Sequence, residues 1–515
     1  METARKIEQY DARTQSVLEL ATHLIEIPSI SQPPSKENPE GINEAYLAAK
    51  EFALESDLNV IDLPADQDHP YPFLILTFKD DDQPESFDPK IALVGHLDVV
   101  APQEPNQFTP QIEDDMLIGR GSADMKTVVA TQMVWMAEQQ AKPGPKPPVV
   151  TMISFTEENG SIRPYSVKEA IDHLKNQHNK EVELAIVGER TGEIENMGKV
   201  PVGPICNSNR GWRWYRAEQT APTEDTLKLF STIASQIEAG RRTIDQHNNS
   251  PSSPQMEKQD NWRTSFVNPF LVIENPEIPQ EGHQLVFTKA GTPRHSAIVP
   301  TSETTLTETF KDTLERAQKH FGEEHVSLNS VNIGEDHNYN TVTGGGEMVL
   351  TINAPMQLIP DWMTLESEQN PETTITLKPL AYKNAETPST QTASPNTFGL
   401  DIRELPEHAA AINSFIAETR ELLSSHGVDL KTVNEGDSWT CPPDNPHYQK
   451  LRQAYESVMG EPSPESGKLH GNDGRFFKAN AVVFGQTGFG PHKPTESHYI
   501  PSIPKYLEIL DQLAK

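Results

Sequence analysis

Cysteine is scarce in this chain: Cys206 and Cys441 are the only two in 515 residues. Far apart in sequence, they provide neither a disulfide framework nor a thiolate metal site, and they suit a reducing compartment. Positive charge is also in deficit. Against 75 Asp and Glu stand 43 Lys and Arg, a formal net charge of −32, which repels nucleic acid and anionic membrane surfaces. No apolar run reaches the roughly 18 residues that a membrane span needs, and the stretch from Met1 to Tyr10 has no apolar signal core. No internal repeat is found. These absences lead us to expect a soluble, cytoplasmic protein acting on small molecules. The 35% hydrophobic content is enough for the cores of two domains.

What the chain does have is a series of short apolar runs that end in acidic residues or imidazole. Ala92-Leu-Val-Gly-His-Leu-Asp98 puts an imidazole and a carboxylate on one face of a strand. Asp98 would take the second ring N–H of a ligating His96 and fix its tautomer. Gly119-Arg-Gly-Ser-Ala-Asp-Met-Lys126 is a glycine-punctuated loop that delivers Asp124 to the start of a helix-compatible stretch, Thr127 to Met136. Val149 to Phe155 reads as a buried strand leading into Glu157 and Glu158, and Leu184 to Gly188 as another leading into Glu189. Ala481 to Gly485 is a further strand. The loop Gly490 to His498 then offers His492 and His498 ahead of a helix-like segment, Ile503 to Leu513.

In an open α/β sheet, ligands bind beyond the carboxyl ends of the strands, so His96, Asp124, Glu157, Glu158 and Glu189 should converge. A lone catalytic zinc needs only three protein ligands. The surplus suits two divalent ions about 3.5–4 Å apart that share one carboxylate. Of the adjacent glutamates, one can ligate while the other acts as general base.

The order His-x-Asp, Gly-Arg-Gly-x-x-Asp-Met-Lys, Glu-Glu, Gly-Glu and a late Gly-Pro followed by histidine resembles the co-catalytic zinc amidohydrolases and exopeptidases. These include succinyl-diaminopimelate desuccinylase, acetylornithine deacetylase, glutamate carboxypeptidase and the aminoacylases. About 30 residues separate successive motifs, room for a crossover helix between parallel strands. The resemblance implies Asp124 as the shared ligand, His96 and Glu189 on one metal, and Glu158 and His498 on the other. The family spacing from Gly-Pro selects His498 over His492. Glu157 becomes the general acid/base, with Asp98 behind His96. The metals implied are two zinc ions, with cobalt or manganese as alternatives, and a cis peptide is implied between Asp124 and Met125.

On the substrate side, Arg475 resembles an arginine that takes a substrate carboxylate, a match of fork to fork. His295, in Gly291 to Ala297, resembles an oxyanion-stabilising histidine, and Arg210 an arginine at the entry to the family's second domain. Asn340 matches a substrate-binding asparagine only loosely. The plainer readings are a surface salt bridge for Arg210 and a turn residue for Asn340. Arg403 is read as a structural brace. His23 and His173 need no function, whereas His447 and His470 lie near the expected site.

The metal motifs occupy the two ends of the chain, so the catalytic domain must be interrupted. Residues 1–206 and 439–515 are read as an α/β, zinc-exopeptidase-like domain with a mixed, mainly parallel sheet. Residues 207–438 are read as an inserted α/β sandwich lid of the dimerisation type, which the family builds from four strands and two helices. Expected lid strands run from Trp212 to Ala217, Gln284 to Lys289, Glu347 to Asn353, Thr397 to Arg403 and Val428 to Val433. Expected helices run from Glu303 to His320 and Glu407 to Ser425, with an additional one from Thr223 to Ala239. Polar, biased compositions at 243–261 and 369–396 read as loops, because they cannot bury enough apolar surface to offset chain entropy.

The resulting expectation is a metal-dependent hydrolase of an amide bond next to a free carboxylate, an N-acyl amino acid deacylase or short-peptide peptidase. A water between two metals, with Glu157 as base, would do the chemistry in a possible homodimer where His295 reaches the neighbouring site. The alternatives are a broad dipeptidase or carboxypeptidase, and a catalytically silent binding protein of the same fold. The full ligand set and base argue against silence.

Overall fold

The computed structural model describes the chain apart from residues 1, 33, 66–70, 80–86, 159–166, 194–198, 220–225, 249–264, 268–270, 275–282, 290–293, 296–305, 334–340, 343–345, 353–372, 380–396, 465 and 469. It forms two compact units, residues 1–209 with 437–515, and residues 210–436. These divisions fall a few residues from the expected 206/207 and 438/439.

The first unit is built on a nine-stranded sheet in the order 59–63, 73–77, 149–154, 91–96, 184–187, 481–483, 206–209 and 439–440, with 466–468 also paired to 206–209. Strands Val149–Ser154, Ile91–His96, Leu184–Val187 and Ala481–Val483 run parallel at its centre. The flanks are antiparallel, through Phe73–Thr77 on one side and Cys206–Asn209 on the other. The sheet is therefore mixed, parallel through its middle and again where Ser466–Lys468 pairs with Cys206–Asn209. Ile91–His96 has one successor strand on each side, so the strand order reverses there, and in doubly wound sheets such a reversal opens a crevice at the carboxyl ends. His96, Glu157, Glu158 and Glu189 all lie at those ends.

Both faces of this sheet are covered, and the strands still alternate. Leu93, Ile153, Leu184, Ile186 and Val482 join one core cluster, while Ala92, Val94, Val150, Met152, Ala185 and Val187 join another. Helices Ala12–Glu26, Thr127–Ala141, Pro446–Met459 and Ser502–Leu513 supply the first cluster, and Val167–His178 the second. Cys206 and Cys441 are both buried free thiols, one in each cluster and so on opposite faces. Among the described residues, no helix is long and apolar enough to cross a membrane.

The second unit has the three expected helices and more strands than the five expected. Its described residues form a nine-stranded antiparallel sheet in the order 373–379, 283–289, 346–352, 326–333, 271–274, 397–404, 211–219 and 428–436, with 265–267 also paired to 397–404. Helices Thr226–Asn248, Leu306–Phe321 and Ala409–Ser424 pack on it through Phe230, Ile233 and Ile237, through Phe310, Leu314 and Ala317, and through Ile412, Phe415 and Ile416. Each set recurs every three to four residues, the spacing of one helix face. Thr373–Pro379 lies inside a segment read as a loop, yet it pairs as an edge strand with His283–Lys289. Its β-branched threonines and isoleucine suit a pleated surface, and its proline closes the strand.

Two glycines set how closely the helix Thr127–Ala141 approaches the sheet. A Cβ on Gly95 would lie 2.5 Å from Val129 Cγ2, and one on Gly188 would lie 2.8 Å from both Met125 Cε and Val128 Cγ1. Gly95→Val and Gly188→Val should each destabilise the protein by about 1–3 kcal/mol, as overpacked cores do. A urea titration measures this, and unchanged midpoints would show that the helix can retreat at no cost.

Candidate metal centre

His96 closes the strand Ile91–His96 with its side chain almost fully buried. Its Nδ1 faces the Asp98 backbone carbonyl at 3.1 Å and Asp98 Oδ1 at 3.4 Å. Its Nε2 points into a group of carboxylates: Asp124 Oδ1 at 3.3 Å, Glu189 Oε1 at 3.5 Å and Glu157 Oε2 at 4.0 Å. That nitrogen is buried and makes no hydrogen bond. Asp98 does more than orient the ring. Its two carboxylate oxygens accept the backbone N–H groups of Glu157 at 3.1 Å and Glu158 at 3.0 Å, and Ser31 Oγ donates to it at 2.6 Å.

Asp124 lies in the segment Ser122–Lys126, just before the helix Thr127–Ala141, and a cis peptide joins it to Met125. Lys126 Nζ, fully buried, donates to the carbonyls of Leu24 and Ile27 at 2.7 Å each. The loop is thereby tied to the end of the helix Ala12–Glu26. Asp124 Oδ2 faces His492 Nε2 at 3.7 Å, and the same nitrogen lies 3.1 Å from Glu158 Oε1.

Two groups of donor atoms result, His96 with Asp124 and Glu189, and Asp124 with Glu158 and His492, each group within 4.8 Å. Asp124 belongs to both. Glu157 belongs to neither, although its carboxylate faces His96. The oxygen and imidazole donors and the unpartnered His96 nitrogen fit divalent cations with no thiolate requirement. Without such charge the pocket is electrostatically tense. Burial, then the neighbouring carboxylates of Glu189, Asp473 and Glu158, push the Glu157 carboxyl well above its usual range against the pull of His96. Burial also raises Glu158. For Asp124, burial is outweighed by His96, His492 and Arg190, which hold it low.

The expected ligand His498 is not in this cluster. It sits inside the strand Ser497–Tyr499, between strands Thr487–Phe489 and Met116–Ile118, with Nε2 3.3 Å from Ser502 Oγ. Burial pushes its imidazole down to about 3. His492 instead occupies a turn with φ of 64°, and this brings its ring to Glu158. Residue counting from Gly-Pro failed because the chain turns back into a sheet after Glu496, and the pleat aims His498 at the helix Ser502–Leu513.

The other expected residues are more dispersed. Arg475 lies in the short turn Asp473–Phe476, within electrostatic reach of Asp473 and Glu157. Arg210 is buried at the start of the second unit. His295 is in the two-residue strand Arg294–His295, paired with Thr341–Val342, and Asn340 lies outside the described residues. Arg403 is a brace: its Nε lies 2.9 Å from Asp401 Oδ1 and its guanidinium stacks over Trp214. His447 is engaged with Glu183 at 2.9 Å.

Sequence reasoning passed over Arg190, whose buried guanidinium lies 3.9 Å from Asp124 Oδ2. It also passed over Arg120, Asp473 and Glu496, all buried beside the centre. The only signal was that each adjoins or shares a motif already noted.

The sequence model for peptidase family M20/M25/M40 matches residues 92–515. The chain belongs to that family. A stretch of 159 residues is 28% identical to succinyl-diaminopimelate desuccinylase of Wolbachia pipientis wMel, covering 28% of this chain and 39% of that protein. A stretch of 200 residues is 29% identical to the desuccinylase of Parvibaculum lavamentivorans, covering 38% and 46%. The chain thus spans less than half the length of these curated relatives. The M20 fold extends further. Aminoacylhistidine dipeptidase from Vibrio alginolyticus superposes with a TM-score of 0.60 at 12% identity, over 99% of this chain and 97% of that one. Human carnosine dipeptidase 1 superposes with a TM-score of 0.55 at 12% identity, over 99% and 98%.

Replacing the two late histidines separates their roles. His492→Ala should bind less metal than the wild type, while His498→Asn keeps its metal content. Elemental analysis after gel filtration measures both, and the reverse pattern would restore His498 as the ligand.

Proposed function

We propose that this M20-family chain hydrolyses an amide bond next to a free carboxylate, in an N-acyl amino acid or a short peptide, with two divalent ions. The observation that carries this reading is the pair of donor groups joined through Asp124. His96, Asp124 and Glu189 would hold one ion, and Asp124, Glu158 and His492 the other. When bound, the cations supply Lewis acidity that polarises a carbonyl and acidifies water. Zinc suits the donors, and so do cobalt and manganese.

Glu157 is the proton carrier. It faces His96 without joining either donor group, so its carboxylate is free to take the proton of the attacking water and return it to the leaving amine. Burial and neighbouring carboxylates raise this carboxyl above its ordinary range, the direction that suits a proton carrier. Asp98 keeps the Glu157 and Glu158 backbone in register with His96. Arg475 would take the substrate carboxylate with its fork of donors. On the resemblance alone, His295 would hold the oxyanion, Arg210 and Asn340 would touch substrate, and a homodimer is the candidate assembly. The desuccinylase relatives favour an N-acylated amino acid over a free peptide.

Glu157→Gln should retain its metal while activity falls by at least about 100-fold, since general acid/base groups contribute roughly 10²–10⁴. Asp124→Ala should lose metal. Equal metal loss in both variants would refute the division between base and shared ligand. A panel of N-acetyl, N-succinyl and N-formyl amino acids and dipeptides, assayed with zinc, cobalt or manganese, should rank acylated amino acids first. Turnover confined to dipeptides would make the protein a dipeptidase instead.

A further inference from the structure

Behind the metal centre lies an ion pair that touches no candidate ligand side chain yet holds the backbone of two of them. Arg120 and Glu496 are each 1% exposed and pair through Arg120 Nη1 and Glu496 Oε2. The other Glu496 oxygen accepts the backbone N–H groups of Ala123 at 3.2 Å and Asp124 at 3.1 Å. The other terminal nitrogen of Arg120 donates to the backbone carbonyl of His492 at 3.2 Å. One carboxylate therefore grips Asp124, one guanidinium grips His492, and the two grips are joined by the pair.

The turn carrying His492 is held through its backbone. Its side chain is half exposed and its φ of 64° is a conformation that residues other than glycine rarely adopt. Three side chains hold its backbone from the far side. Gln103 Nε2 donates to the His492 carbonyl at 3.0 Å, Gln107 Nε2 to the Lys493 carbonyl at 3.0 Å, and Arg120 makes the bond above. Of these, Arg120 is also tied to the backbone of Ala123 and Asp124, through Glu496.

We infer that the Arg120–Glu496 pair is a positioning strut for the second donor group, Asp124 with Glu158 and His492, and bears on its metal affinity more than on that of the His96 group, of which it holds only the shared Asp124. This rests on the two-ion reading above. The asymmetry follows from what the pair holds. His96 is fixed by Asp98 and by its strand, and Glu189 by the strand Leu184–Val187, and neither touches the pair. Loss of the strut should weaken the second group more than the first and let His492 swing from Asp124. Partners that orient metal ligands commonly account for about 10–100-fold in affinity.

The test is a Co²⁺ titration of the chelator-treated full chain, followed by visible absorption and by elemental analysis. The variants are Glu496→Gln, Arg120→Lys, Arg120→Met and the double variant Arg120→Met/Glu496→Met. The double variant leaves no single buried charge, whose own penalty would otherwise unfold the site. Circular dichroism and metal-free melting establish that each variant is folded. The wild type should bind two equivalents. Arg120→Met, which keeps the Glu496 carboxylate on Asp124, should bind the first as the wild type does and the second about 10–100-fold more weakly, with the spectrum of a single site persisting, and the double variant should likewise weaken the second more than the first. Arg120→Lys should recover part of the loss. Folded variants that bind both equivalents normally, or lose both equally, would overturn the strut. A wild type binding only one equivalent would overturn the two-ion reading as well, and this is seen before any variant is compared.

Discussion

The carboxylate of Asp98 is the joint on which the catalytic face depends. Fully buried at the end of a central strand, it faces the His96 ring and accepts the backbone N–H groups of Glu157 and Glu158 from the neighbouring parallel strand. Hydrogen bonds to a charged acceptor contribute about 1.5–3 kcal/mol each, so the joint is strong as well as dry. It also explains how two consecutive glutamates do different work. With the backbone of both residues fixed to one carboxylate, the Glu158 side chain goes to His492 and Asp124, and the Glu157 side chain to His96.

Around that joint the protein concentrates buried negative charge, which is costly unless compensated. Asp124, Glu157, Glu158, Glu189 and Asp473 converge on His96, His492, Arg190 and Arg475. The cationic side chains counter part of that charge, and the raised carboxyls of Glu157, Glu158 and Asp473 mark what is left over. Divalent ions would relieve the same charge while leaving Glu157 free to carry a proton. Stability and catalysis thus draw on one arrangement, and the same carboxylates that strain the metal-free pocket would give it its affinity for cations.

The second unit obeys simpler rules. Its sheet is antiparallel throughout the described pairings, and three amphipathic helices cover it. Its expected elements were legible wherever hydrophobic periodicity was strong, as in Leu306–Phe321, where Phe310, Leu314 and Ala317 share a face. Other strands were missed, the short apolar Leu271–Glu274 as well as polar-rich ones. Val326–Ile333 has asparagine and serine between its buried valines, leucine and isoleucine, and Thr373–Pro379 has three threonines among its seven residues. Such strands form because neighbouring strands offer them hydrogen bonds, a long-range circumstance that no local window contains.

By itself the sequence determined which acidic residues and which strand-end histidine meet, and in what order along the chain. Apolar runs ending in His96, Glu157–Glu158 and Glu189 had to become strands whose carboxyl ends meet, because residues so apolar are stable only inside a covered sheet. The Gly-Arg-Gly loop had to deliver Asp124 at a helix start. Tertiary structure decided which late histidine joins the cluster. His492 and His498 are of the same type and six residues apart, and only the turn at Gly490 and the strand pairing of Ser497–Tyr499 send one to Glu158 and the other to Ser502. It also decided the Arg120–Glu496 pair, whose members are 376 positions apart. Spacing encodes local geometry, whereas a contact across that distance exists only once the sheet has brought the ends of the chain together.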